Sequence, residues 1–131
     1  MNDLGSIRHF TDLESWKVNH EFVKQVYRIT KEFPPEEQFG LTSQLRRSAS
    51  SITANIAEGF GRYHAKDKVR FYYLARGSNS ESQNHIILAY ELGYLNQKDY
   101  DTLKKLVFSG YKLLCGLVRS LDRKSPSAVS H

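Results

Sequence analysis

The stretch NIAEGFGRYHAK, residues 55–66, places Gly59 and Gly61 around Phe60, with Glu58 before them and Arg62 after. Glycines next to an arginine are the raw material of a phosphate cradle, where bare backbone amides meet an anion and a cation neutralises it. A Walker-type loop needs Gly-x-x-x-x-Gly-Lys-Ser/Thr between a strand and a helix. Gly59-Phe60-Gly61-Arg62 has neither that spacing nor a preceding strand, because the residues before it carry a helical period. Gly59 is therefore expected just after a helix, where positive φ is needed and glycine adopts it at no steric cost. Gly61 is expected to complete the turn. A carboxylate in a last helical turn is opposed by the macrodipole. Glu58 should then have a cationic partner, with Arg62, Arg70 and Arg76 as candidates.

Other reactive types are sparse. Di-iron bundles use paired Glu-x-x-His motifs, but Glu81 and His85 are four apart and no second pair exists. No metal site and no cofactor are expected. Cys115 lies between Leu114 and Leu117 on an apolar stripe, which reads as a small core residue rather than a nucleophile. No Gly-x-Ser-x-Gly elbow occurs. Small helical ribonucleases of the HEPN type place an arginine a few residues before a histidine on one helix. Here Arg76 precedes His85 by nine and Arg62 precedes His64 by two. Convergence of Arg76, Asn79 and His85 in space is what a ribonuclease reading would still require.

These residues must be positioned by helices. Trp16, Val23, Val26, Tyr27, Thr30 and Phe33 recur at three and four over residues 12–33, with Asp12 as the expected N-cap and Pro34-Pro35 as the stop. Over residues 41–58, Leu41, Leu45, Ala49, Ile52 and Ile56 form an apolar stripe. Beside it runs a polar stripe of Gln44, Ser48, Ser51, Asn55 and Glu58. A third helix is expected over residues 66–92, aromatic at its start, polar through RGSNSESQNH, and closed by Gly93 in the left-handed position. A fourth is expected over residues 96–123, with Asn96 and Asp99 near a capping-box arrangement and an apolar face from Tyr100 to Leu121. Short connections between long helices predict an all-α, antiparallel up-down-up-down four-helix bundle over residues 12–123. An N-terminal arm (residues 1–11) and a disordered tail (residues 124–131) flank it.

The chain has 131 residues, enough for one domain with a real core. No run of 18 apolar residues predicts a membrane span, and MNDLGSIRHF has no signal-peptide pattern. With a single cysteine, a cytoplasmic setting is expected. Net charge is +5 and unevenly placed. Residues 45–76 carry seven basic side chains against two acidic, and residues 104–124 carry six against one. Two basic segments make a candidate polyanion surface.

The pieces FTDLESWKV, VYRITKEFPPEE, FGLTSQLRRSASSITANIAEGFGR, ARGSNSE and LAYELGYL, in this order over residues 10–95, give the chain a family look. It resembles the four-helix-bundle family of bacterial 23S rRNA intervening-sequence proteins, formerly labelled S23 ribosomal proteins. The resemblance covers nearly the whole chain and implies a bundle that assembles into a ring-shaped homopentamer, without established enzymatic activity. The accessory variability determinant proteins of diversity-generating retroelements are similar in fold. They imply nucleic acid, and a reverse transcriptase or other ribonucleoprotein, as partners. The chain departs from the family in having Thr53 where members commonly have proline, which leaves the second helix without a proline kink. SNSESQNH is also more polar than expected.

The expected function is a non-catalytic oligomer that binds RNA or a ribonucleoprotein through Arg46, Arg47, Arg62, Lys66, Lys68, Arg70, Lys104 and Lys105. Gln44, Ser48, Ser51, Asn55, Glu58, Gly59, Arg76 and Glu81 are expected to serve packing or assembly. The alternative is a structural or protein-binding oligomer with no affinity for nucleic acid. A HEPN-like ribonuclease is the third reading.

Overall fold

The computed structural model describes residues 6–124. The expected tail beyond residue 124 and residues 1–5 of the expected arm lie outside the described residues. Among the described residues the fold comprises four α-helices: α1 (Glu14–Thr30), α2 (Leu41–Phe60), α3 (Ala65–Glu91) and α4 (Gln97–Lys124). Two short 3-10 turns, Phe10–Asp12 and Pro35–Glu37, precede α1 and α2. Among the described residues there is no strand. Each helix packs on its neighbours in sequence and α1 closes on α4, while α1–α3 and α2–α4 stand diagonally across the core. That is the contact pattern of an up-down-up-down bundle.

The helix ends have local causes, and several differ from expectation. Asp12 does not cap α1. Its carboxylate accepts the amides of Arg8 and His9, both at 3.0 Å, closing the 3-10 turn, and Leu13 heads α1 without a side-chain cap. These two bonds hold the Asp12 carboxyl below the usual carboxylate range. Helix α1 stops at Thr30, ahead of Pro34-Pro35. Gly59 is not a left-handed terminator: α2 continues through it to Phe60, and Gly61 follows with φ −76°. The end of α2 is satisfied differently, by Lys68 Nζ donating to the Phe60 carbonyl at 2.7 Å. What Gly59 supplies is space. A Cβ there would lie 2.7 Å from Cε1 of buried Tyr72 on α3. Gly93 does take positive φ, +83°, just after α3, and the Asn96 side chain accepts the Asp99 amide at 2.7 Å where α4 begins.

The core is built from Phe22, Val26 and Ile29 of α1, the whole expected stripe of α2, Tyr72, Ala75, Ile86 and Ala89 of α3, and Leu103, Val107, Leu114 and Val118 of α4. Burying each large apolar side chain stabilises the fold by about 1.5–3 kcal/mol. The inner face of α1 is rotated from the expected one. Ser15, Asn19, Phe22 and Val26 face inward, whereas Trp16 and Val23 are half-buried and Tyr27 is 43% exposed. Cys115 is likewise half-buried rather than in the core, with Arg76 Nη1 at 3.8 Å from its Sγ.

A polar layer crosses this core. Asn79 Nδ2 on α3 donates to Asn19 Oδ1 on α1 (3.1 Å) and to the Val107 carbonyl on α4 (3.0 Å). Asn19 Nδ2 donates to the Ser15 carbonyl at 2.7 Å, and Gln83 Nε2 donates to Asn79 Oδ1 at 2.9 Å. Both buried amides are therefore satisfied, which removes the desolvation penalty of about 1–3 kcal/mol that an unpaired group would carry.

Candidate nucleic-acid interface

The topology sorts charge along the bundle axis. The α1–α2 and α3–α4 connections meet at one end, where Tyr94 donates to Glu37 Oε2 at 2.9 Å and its ring lies 5.6 Å from that of Phe33. Residues 31–40 and 91–101 bring six carboxylates and two lysines to this end. The Glu37 carboxyl is held below the usual range by the Leu41 amide first and the Tyr94 hydroxyl second. At the opposite end, residues 58–70 around the α2–α3 turn carry Arg62, Lys66, Lys68 and Arg70 against Glu58 and Asp67. A polyanion approaching along the axis meets attraction at this end and repulsion at the other.

The basic end is aromatic as well. Phe71 on α3 is flanked by two guanidinium groups, Arg62 at 4.6 Å and Arg70 at 4.5 Å from its centroid. Of the three candidate partners for Glu58, the structure pairs it with Arg62, whose Nη2 donates at 2.7 Å. Lys68 serves the fold more than the surface. It closes the end of α2, lies 5.3 Å from the Phe60 centroid, and burial lowers its pKa. Lys66 and Arg70 are exposed. Tyr63 is 89% exposed, with an edge contact to His64 as its ring neighbour at 5.0 Å.

The other expected contact residues lie elsewhere. Arg46 Nε donates to Thr30 Oγ1 at 2.8 Å and its guanidinium sits 4.9 Å over Tyr27, tying α2 to the end of α1. Arg47 bonds Gln44 on its own helix and forms an ion pair with Glu81 on α3. Lys104 and Lys105 are exposed two turns into α4, on the half of the bundle nearer the acidic end, and Lys104 lies 5.6 Å over Tyr100.

Of the residues expected to serve packing or assembly, Ser48, Ser51, Gly59 and Glu81 meet across a seam between α2 and α3, whereas Arg76 lies toward α4. Ser48 Oγ and Ser82 Oγ are 2.8 Å apart, and Ser51 Oγ and Ser78 Oγ 2.9 Å. Asn55 Nδ2 donates to the Ser51 carbonyl at 2.9 Å, and Gly59 sits against Tyr72. Glu81 bridges Arg47 and His85, the latter at 3.1 Å. Small side chains let the two helix backbones approach, and among the described residues this is the most extensive helix pairing. Sequence reasoning missed Asn19 and Gly110, because an asparagine and a glycine interrupt the apolar period that marks a core face.

Arg76, Asn79 and His85 are not brought together. Arg76 lies over Tyr73 and Tyr111 at 5.0 and 5.7 Å, Asn79 points into the core, and His85 faces Glu81 beside α2. Among the described residues, no group of three or more His, Cys, Asp or Glu side chains is placed to hold a metal ion. No helix among them is long and apolar enough to cross a membrane.

No curated protein matches the chain at a significant level. A crystal structure of a protein of unknown function from the S23 ribosomal protein family of Bacteroides thetaiotaomicron VPI-5482 superposes with a TM-score of 0.74. It is 21% identical in sequence, and the match covers 79% of this chain and 97% of that one. At that identity the likeness concerns the fold. The model of the family described as 23S rRNA-intervening sequence protein matches residues 11–116, from the first 3-10 turn through most of α4. With both the sequence match and the bundle in agreement, this chain belongs to the 23S rRNA-intervening sequence protein family.

Proposed function

We propose that the chain is a non-catalytic, oligomeric bundle protein that binds RNA or a ribonucleoprotein through the basic end formed by the α2–α3 turn. The observation that carries this reading is the grouping of Arg62, Lys66 and Arg70 with exposed Tyr63, opposite an end rich in carboxylates. Cations give sequence-independent affinity for phosphates, and an aromatic among them offers a face for a base. In the proposed role Arg46 and Arg47 hold the bundle together, and Lys104 and Lys105 lie outside the main contact.

The oligomeric part of the proposal draws on the outward face of α3. Leu74, Ile87, Leu88 and Leu92 are between 42% and 51% exposed along one long helix, more apolar surface than a solvent-facing helix requires. A homopentameric ring is the assembly that the family resemblance implies. The test of the binding function is a mobility-shift titration of nucleic-acid-free protein with RNA at micromolar concentration and rising salt. The proposal expects a shift that salt abolishes, and absence of any shift at low salt overturns it.

A further inference from the structure

The charge of the basic end accounts for attraction to any nucleic acid, but Tyr63 adds a preference. A large apolar ring at 89% exposure, in the connection between α2 and α3, contributes nothing to the core described above. The neighbouring aromatics are all engaged. Phe71 has Arg62 and Arg70 over its ring, Phe60 has Lys68, and Tyr72 is buried against Gly59. Tyr63 is thus the most exposed aromatic of this end, its ring contact being the one with adjacent His64, and it follows Arg62 directly and precedes Lys66 by three residues. Stacking over Phe71 and pairing with Glu58 hold Arg62 in place, so less rotamer freedom is lost when it meets a phosphate.

Resting on the proposed RNA-binding role, we infer that the α2–α3 end is a single-stranded RNA site. An unpaired base stacks on Tyr63, and Arg62, Lys66 and Arg70 contact the flanking phosphates. A duplex keeps its bases stacked on one another and offers this end phosphates alone. An unpaired strand offers phosphates and a π-face together, and every base has such a face, so the preference is for strand state rather than for sequence. Lys68, already bonded to the α2 terminus, is not among the phosphate contacts.

The test uses the full chain and fluorescence anisotropy with a short labelled oligouridine and an RNA duplex of equal length. The wild type is expected to bind the single strand more tightly. Tyr63→Ala should weaken single-strand binding by about tenfold, the loss of one stacked base, leave duplex binding unchanged, and be rescued by Tyr63→Phe. The ring contacts its neighbour His64 alone among aromatics, so the variant retains the core, and sedimentation checks its assembly. Equal binding of both RNAs, unaffected by Tyr63→Ala, overturns the single-strand site while leaving the basic end as an RNA contact. A Tyr63→Ala protein that sediments as a smaller species also overturns it, by placing the ring at a subunit contact. Binding of neither RNA by the wild type overturns the RNA-binding role itself.

Discussion

Gly110 of α4 lies directly against the carboxamide of Asn19 on α1: a Cβ on Gly110 would fall 2.7 Å from Asn19 Cγ. Asn19 cannot swing away without cost, because the same carboxamide receives Asn79 Nδ2 and donates to the Ser15 carbonyl. The glycine and the asparagine are therefore one device, a close helix contact with a hydrogen-bonded amide filling it.

Gly110→Ala should destabilise the bundle by about 1–3 kcal/mol, the usual cost of overpacking a tight core site. Asn19→Ala should cost a similar amount by stranding Asn79. The double variant should lose less than the sum, since removing the carboxamide makes room for the added methyl. Denaturant melts of the four proteins measure this directly, and strict additivity would contradict the contact.

Glu37 should contribute to acid sensitivity. Hydrogen bonds from the Leu41 amide and the Tyr94 hydroxyl hold its carboxyl below the ordinary value of 4.5. A depressed folded pKa gives stability that is present above the unfolded value and lost as pH falls through the folded one. Thermal melts below about pH 4.5 should therefore fall less steeply for Glu37→Gln than for the wild type. Identical slopes would show that the Glu37 contacts do not persist in solution. Tyr94 has the opposite sense. Its hydroxyl is raised by the bond to Glu37, so its contribution is present below its unfolded pKa and fades on the alkaline side as pH rises through the folded one.

Assembly should depend on the outward face of α3. Replacing Leu74 and Leu88, 47% and 42% exposed, with lysine should shift the protein to a smaller species in sedimentation with helicity retained. An unchanged sedimentation coefficient would place subunit contacts on another face.

Much of this architecture is legible in the residues, and the exceptions share a cause. The stripe of α2 keeps an uninterrupted apolar period and is buried where expected, while that of α4 buries Leu103, Val107, Leu114 and Val118 and leaves its flanks half-buried. The face of α1 was displaced because Ser15 and Asn19 hold core positions with polar groups, so Trp16 and Tyr27 drew the period to its flank. Helix α3 hides its inner face for the same reason, with buried Asn79 and Ser82 in place of apolar residues. The basic segments could be read directly, but not which cations were already engaged. Arg47 meets Glu81 across 34 residues, and Lys68 reaches back eight to the end of α2. Such partners are set by tertiary packing rather than by local spacing.

The most direct test of the account is the salt dependence of RNA binding, measured for the wild type and for a triple Arg62→Gln, Lys66→Gln, Arg70→Gln variant. Each phosphate contact to a single strand contributes about −0.7 to the slope of log affinity against log salt. The account predicts that the variant loses about two units of slope and most of its low-salt affinity, while Lys104→Gln with Lys105→Gln changes neither appreciably. A triple variant that binds RNA with the wild-type slope would contradict the assignment of the α2–α3 end as the site of contact.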